Sequence, residues 1–131
     1  MPKSKIKFVL EEVPSLTVFG IWLFEQGRGL SRKESDLKFK NDQKALLNNT
    51  ENFEKACQWL AQIEKIETIN EKRSSYGLKH LAEKKIGYIT NGVFIAAAIY
   101  CGFKYKIYRD DPNPCFAMSE KSIKQIEKKF I

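Results

Sequence analysis

The stretch YITNGVFIAAAIYCGFKYK, residues 88–106, carries the strongest local structural signals in this 131-residue chain. Thr90 or Asn91 can cap the start of a helix, and Gly102 can end it. The side chains between them are almost all apolar, which is typical of a helix buried on every side. The next residues alternate lysine with aromatic side chains and predict a strand over 103–109. The stretch therefore predicts a buried central helix followed by a strand.

The residues after this strand predict a hairpin and a last helix. DDPNP at 110–114 is typical of a turn, and 115–118 predicts the returning strand. Ser119 can cap the last helix, and Met118 and Ile123 have the spacing of a hydrophobic staple.

Two helices are predicted before residue 88. Residues from about 50 to 66 place Phe53, Ala56, Cys57, Leu60 and Ile63 on one face. A second helix, capped by Ser74 or Ser75, is ended by Gly87.

The N-terminal third gives weaker signals. Alternation predicts a strand at 5–10, and 16–24 carries both strand and helix signals, with a strand pairing with 5–10 favoured. Residues 27–42 predict an exposed connection, with a short helix at 42–47. The whole chain therefore predicts a single helix-rich α+β domain: an N-terminal strand and connection region at 1–48, then a helical core with a hairpin and C-terminal helix at 49–131.

Composition narrows the protein class. Hydrophobic residues make up 43% and charged residues 30% of the chain, as in soluble globular proteins. No apolar run approaches the ~18 residues of a membrane span, and the N-terminus lacks a signal-peptide pattern, so we expect a cytoplasmic protein without membrane contact. The cysteines, Cys57, Cys101 and Cys115, are scattered and lack zinc-site spacing. They are predicted to be small buried hydrophobes, and no metal or cofactor is expected.

The net charge of +7 is unevenly distributed. Residues 1–71 contain 11 basic and 11 acidic side chains, whereas residues 72–131 contain 12 basic and 5 acidic ones. A one-sided basic field attracts polyanions or acidic protein surfaces.

The predicted element order over 50–118 resembles the winged helix-turn-helix DNA-binding fold. In that resemblance 75–87 is the supporting helix, 91–102 the recognition helix and 103–118 the wing. A recognition helix presents polar side chains to the major groove, yet here only Thr90, Asn91 and Tyr100 are polar. The residues therefore favour a buried helix over a groove reader. An apolar surface for a protein partner is the third possibility.

The string SSYGLKHLAEKKIGYITNGVFIAAAIYCGF, followed by NPCFAMS, is similar to a motif in small bacterial proteins of plasmids, prophages and other mobile elements. This resemblance implies a bacterial cytosol. It is compatible with a regulator of element genes or with a protein that binds a host factor.

The leading functional prediction is nucleic-acid binding, mainly through phosphates. Lysines interleaved with aromatics suit phosphate contact and base stacking, and the predicted contacts are Lys79, Lys84, Lys85, Lys104, Lys106 and Arg109. The alternative is a protein-interaction module, self-associating or binding another protein, which uses Phe19, Trp22, Phe24 or helix 93–101.

No enzyme is predicted. The single histidine, His80, has no nucleophile close to it in sequence, and Asp110 and Asp111 suit a turn better than an acid–base pair. Gly27 and Gly29 lack the following residues of a phosphate-binding loop.

Overall fold

The computed structural model describes residues 2–23 and 27–130. Within them the strands pair as two antiparallel hairpins, β1 with β2 and β3 with β4. The helix-rich α+β fold predicted from the sequence is confirmed. The elements are, in order, α1 Pro2–Glu12, β1 Leu16–Thr17, β2 Gly20–Ile21, α2 Arg32–Asn48, α3 Thr50–Leu60, α4 Ser75–Ile86, α5 Asn91–Tyr100, β3 Tyr105–Lys106, β4 Cys115–Phe116 and α6 Glu120–Lys128.

Helix α5 is the centre of the core. Its residues from Asn91 to Ile99 are all buried, and only Tyr100 is exposed. Its neighbours are α1, α3, α4 and the β1–β2 hairpin. Thr90 caps it by accepting a hydrogen bond from the N–H of Val93 at 3.2 Å. The buried central helix is confirmed, and this helix can serve neither as a groove reader nor as an exposed apolar surface for a partner.

Gly92 lets α5 lie directly on the first hairpin. Its N–H donates to the carbonyl oxygen of Val18 at 3.0 Å. A Cβ at this position would lie 1.9 Å from the carbonyl oxygen of Thr17. Only glycine allows this approach of helix and hairpin backbones.

The predictions for the N-terminal third are mostly wrong. Residues 5–10 belong to α1, because Ile6 and Val9, three positions apart, fit one helical face and are both fully buried. The strands within 16–24 pair with each other rather than with 5–10. Phe24 lies outside the described residues.

The connection predicted over 27–42 is largely helix, because α2 starts at Arg32 and runs through the predicted short helix at 42–47. Ser31 and Glu34 form a capping box at its start, so the sequence contained a helix signal. An apolar stripe is missing, since Leu46 is the only fully buried residue among those described in α2.

The C-terminal half follows the predictions closely. Ser74 and Ser119 cap α4 and α6, and Tyr105 pairs with Phe116 in the predicted hairpin. The strands are shorter than 103–109 and 115–118. Helix α3 ends at Leu60 rather than near 66, because the chain then runs beside β4: the N–H of Ile66 donates to the carbonyl oxygen of Ala117.

Cys115 is buried, as predicted, whereas Cys57 and Cys101 are only half-buried. In the two described ranges, no helix has the length and apolar character needed to cross a membrane.

Candidate functional site

Lys79 forms the centre of a cluster on α4. Its side chain is only 6% exposed, and its Nζ lies 3.0 Å from Oε2 of Glu83. The same Nζ lies 5.4 Å from the ring centre of Tyr76 and 5.1 Å from that of Tyr88. The predicted phosphate contact of Lys79 requires an exposed side chain, and this exposure is wrong. The turn after α4 brings Tyr88 back against the helix, where the two rings shield the ammonium group.

Glu83 holds this cluster together. Its carboxylate accepts hydrogen bonds from Lys79, from Nδ1 of His80 at 2.9 Å and from the N–H of Ile89 at 3.2 Å. Burial acts to raise the pKa of Glu83, but the hydrogen bonds from Lys79 and Ile89 outweigh it and the pKa is lowered. The carboxylate is therefore ionised at neutral pH. Because a carboxylate can only accept, Nδ1 of His80 is the donor.

The outer side of the cluster presents aromatic rings to solvent. Tyr88 is 75% exposed and Tyr76 is 51% exposed; we call these two residues the tyrosine pair. Tyr76 packs edge-to-face on His80, with ring centres 4.4 Å apart. Tyr76, His80 and Lys84 follow one another at four-residue intervals, so they form a row along the exposed face of α4.

Four lysines lie where the C-terminal ends of α4 and α6 meet. The ends are in contact, since Nζ of Lys84 lies 5.4 Å from the ring centre of Phe130. A groove of about 310 Å³ between them is lined by Trp59, Gln62, Lys85, Ile126, Lys129 and Phe130. Across residues 2–23 and 27–130, no carboxylate oxygen lies within 4.0 Å of the four ammonium groups. We call this set the basic surface: Lys84, Lys85, Lys128 and Lys129.

The cations predicted on the hairpin have acidic partners instead. Lys104 is hydrogen-bonded to Glu67, which lowers the pKa of that carboxyl group. Lys106 lies 3.9 Å from Glu71. Arg109 is almost fully exposed, with Asp110 at 4.0 Å. The six predicted contact residues therefore do not form one cationic patch. Of the six, only Lys84 and Lys85 are exposed and have no carboxylate oxygen of a described residue within 4.0 Å, although the charge of Lys84 helps to lower the pKa of Glu127.

Sequence reasoning missed four residues of this region. Tyr76 stands at a four-residue spacing from His80 and Lys84, which was a readable signal for one helix face. Tyr88 could not be placed, because its position depends on the turn after α4. Lys128 and Lys129 lie at the C-terminal end of α6, and no local signal shows that this end meets α4.

A polar network with two buried members, Ser75 and Asn91, lies where α4 and α5 begin. The hydroxyl of Ser75 donates to Oδ1 of Asn91 at 3.0 Å, and Nδ2 of Asn91 donates to Oδ1 of Asn113 at 2.7 Å. Asn91 therefore does not cap its helix through its side chain. It joins the start of α4 to the start of α5 and to the loop of the second hairpin.

Comparisons of this chain with protein families, with curated proteins and with solved structures give no match. Among the described residues, no three His, Cys, Asp or Glu side chains are grouped so that they could hold a metal ion.

Proposed function

We propose that the protein binds nucleic acid without sequence specificity along the exposed face of α4, with the basic surface contacting phosphates. The observation that carries this proposal is the group of four exposed lysines where the C-terminal ends of α4 and α6 meet, together with the exposed rings of Tyr76 and Tyr88 that lie over Lys79 on α4. Lysine ammonium groups contact phosphate oxygens and release condensed counterions. The buried α5 takes no part in the contact.

The tyrosine pair favours a single strand as the ligand. Exposed aromatic rings stack on unpaired bases, at about 1–3 kcal/mol per base, whereas bases in a duplex are already stacked. Glu83 and the buried Lys79 hold the two rings in place, so stacking on them loses little side-chain entropy. The resemblance to small bacterial mobile-element proteins supports the bacterial cytosol as the place of action and a regulatory role in element genes.

Fluorescence anisotropy with a labelled oligothymidylate single strand and a duplex of mixed sequence tests the proposal. We expect the single strand to bind with a Kd below about 100 μM at about 50 mM salt, more tightly than the duplex, and to weaken as salt rises. The double variant Lys84→Ala with Lys85→Ala should lower the slope of log K against log salt by about 1.4, because each single-strand phosphate contact contributes about 0.7.

The matched control is Lys40→Ala with Lys44→Ala on α2, which removes the same charge from two exposed lysines. Equal losses in the two double variants would show that only net charge matters and would contradict the assigned surface.

Tyr88→Ala should weaken binding to the single strand while leaving its salt slope unchanged. Affinity weaker than about 100 μM at low salt, or affinity insensitive to salt, would overturn the phosphate-contact proposal.

A second candidate function is association with a protein partner through the first hairpin and α2. Phe19 is 56% exposed and Leu37 is 59% exposed, and Nζ of Lys38 lies over the rings of both Phe19 and Trp22. Large exposed apolar side chains on neighbouring elements are typical of interaction surfaces. If this surface mediates self-association, sedimentation velocity should show a dimer for the natural chain and a monomer for Phe19→Ser with Leu37→Ser. A monomeric natural chain would contradict self-association.

A further inference from the structure

Cys57 and Cys101, which are far apart in sequence, lie side by side in the fold. Cys57 is in the second half of α3, and Cys101 is the residue that caps the C-terminal end of α5. Both line the same groove, and the two thiols are close enough for each to shift the pKa of the other. Their scattered sequence positions predict isolated buried hydrophobes, so the pairing appears only in the structure.

Both thiols can be reached from solvent. Cys57 and Cys101 are half-buried and line the same groove of about 430 Å³. Leu60, Ala61 and Phe103 form apolar walls, and Lys65 lies at the groove with its Nζ 5.5 Å from the ring centre of Phe103. A small polar oxidant can therefore reach the two thiols.

The charges around the pair make its two sulfur atoms unequal. The hydrogen bond from Cys57 lowers the pKa of Cys101, burial opposes this effect, and Lys65 and Lys5 lower it further, to about 7. The hydrogen bond with Cys101 and burial raise the pKa of Cys57. The first proton is therefore lost from Cys101, and the resulting thiolate is the nucleophile of the pair.

Cys115 is a natural comparison within the same chain. It is only 6% exposed, and burial raises the pKa of its thiol. Its contacts are with the second hairpin and Tyr108 rather than with another cysteine. It should stay reduced under conditions that oxidise an accessible thiolate.

We propose that Cys57 and Cys101 form a redox-active dithiol, which a peroxide converts reversibly into a disulfide that joins α3 to the end of α5. The Cys101 thiolate attacks one peroxide oxygen: an S–O bond forms, the O–O bond breaks, and the leaving hydroxide takes up a proton to become water. Cys57, deprotonated as it attacks, then forms the S–S bond with Cys101, and the S–O bond breaks to release a second water. The two thiols lose two electrons and hydrogen peroxide gains them. Reduction by a dithiol reverses the reaction through thiol–disulfide exchange.

The disulfide would link the two helices at the centre of the core. Helices α3 and α5 pack directly against each other, with Trp59 and Phe94 in edge-to-face contact. A cross-link closing a loop of about 45 residues restricts the unfolded chain, so the oxidised protein should melt at a higher temperature than the reduced one. The proposal does not depend on nucleic-acid binding.

Mass spectrometry of the full-length chain tests the proposal. The fully reduced protein is treated with a slight excess of hydrogen peroxide, and the remaining thiols are alkylated with N-ethylmaleimide. The intact mass should fall by about 2 Da before alkylation, and a single thiol, Cys115, should take up the reagent. Trypsin separates the three cysteines into peptides 56–65, 86–104 and 110–121, so a cross-link between the first two is directly identifiable. Dithiothreitol should restore three reactive thiols.

Single-cysteine replacements provide the controls. Cys115→Ser should form the same disulfide and show the same rise in Tm as the natural chain. Cys57→Ser should form no intramolecular disulfide and should instead gain about 16 Da at Cys101, as a sulfenic acid.

Three alkylated thiols after peroxide treatment, a cross-link containing peptide 110–121, or dimers on a non-reducing gel in place of the internal cross-link would each overturn the proposal. The natural chain alone decides among these outcomes, so the test stands even where a serine variant fails to fold.

Discussion

Replacing Gly92 by alanine should destabilise the fold, although alanine is the better helix former. Intrinsic propensity favours alanine over glycine in a helix by up to about 1 kcal/mol. In this structure, however, the new Cβ would lie 1.9 Å from the carbonyl oxygen of Thr17 and 2.6 Å from the carbonyl carbon of Val18. Both neighbours are backbone atoms, so a rotamer change cannot relieve the overlap, and α5 or the first hairpin must move.

The expected loss in the free energy of unfolding follows from three contributions. Overpacking of a buried site costs about 1–3 kcal/mol, and a backbone clash belongs at the upper end of that range. Separating α5 from the hairpin also weakens the hydrogen bond from Gly92 to Val18, at about 1 kcal/mol. After the propensity gain is subtracted, the free energy of unfolding should fall by about 2–3 kcal/mol, which lowers Tm by roughly 8–12 °C in a domain of this size.

Gly77→Ala is the matched control. Gly77 lies in the first turn of α4, and a Cβ there would meet no heavy atom within 4 Å. Its free energy of unfolding should stay the same or rise by up to about 1 kcal/mol. Urea denaturation followed by circular dichroism measures both variants. Equal stability of Gly92→Ala and Gly77→Ala would refute the close approach of α5 to the hairpin backbone.

Two further predictions concern ionic and polar contacts. Arg73 forms hydrogen bonds with Glu120 that lower the pKa of this carboxyl group to about 2. Because the folded-state pKa is lower than the unfolded value of 4.5, the ionised carboxylate stabilises the fold above pH 4.5. This contribution is lost as the pH falls from 4.5 towards 2. Tm of the natural chain should therefore fall over that interval, whereas Arg73→Gln should have a lower Tm at neutral pH and a flatter acid profile. Asn91→Ala should lower the free energy of unfolding by about 1–3 kcal/mol in urea titrations. The reason is that the buried hydroxyl of Ser75 loses its acceptor and the side chain of Asn113 loses its donor. An unchanged urea concentration at the midpoint of unfolding would show that this network adds no stability.

The fold was predictable wherever local signals agreed with tertiary packing. Ser74, Thr90 and Ser119 each cap the helix that the sequence predicts, since a hydroxyl and a free N–H three residues later meet within one turn. The strand predicted at 5–10 is wrong because a short apolar pattern is compatible with a strand and with one face of a helix. The predicted helix at 42–47 covers only part of α2, because α2 is mostly exposed and has little apolar periodicity. Its start was nevertheless indicated by Ser31 and Glu34, which have the spacing of a capping box.

The candidate site was predictable only in part. The excess of positive charge lies in 72–131, and the predicted residues Lys84 and Lys85 are exposed there. Whether a lysine can contact a phosphate, however, depends on the residues that lie close to it in the fold. Lys104 has a glutamate partner at position 67, and no short-range pattern reports a contact over that separation.

The sequence by itself determined the capped helices, the hairpin after α5 and the burial of α5, because these follow from interactions within a few residues and from a side-chain pattern that is apolar on every face. The tertiary structure decided which cations have a carboxylate oxygen close to them, that the tyrosine pair lies over Lys79, and that Cys57 and Cys101 line one groove. Each of these depends on distances between segments that the chain brings together only on folding. A charge or a thiol acquires its reactivity from such neighbours, since electrostatic and hydrogen-bonding effects on it act over a few ångströms of space and not along the sequence.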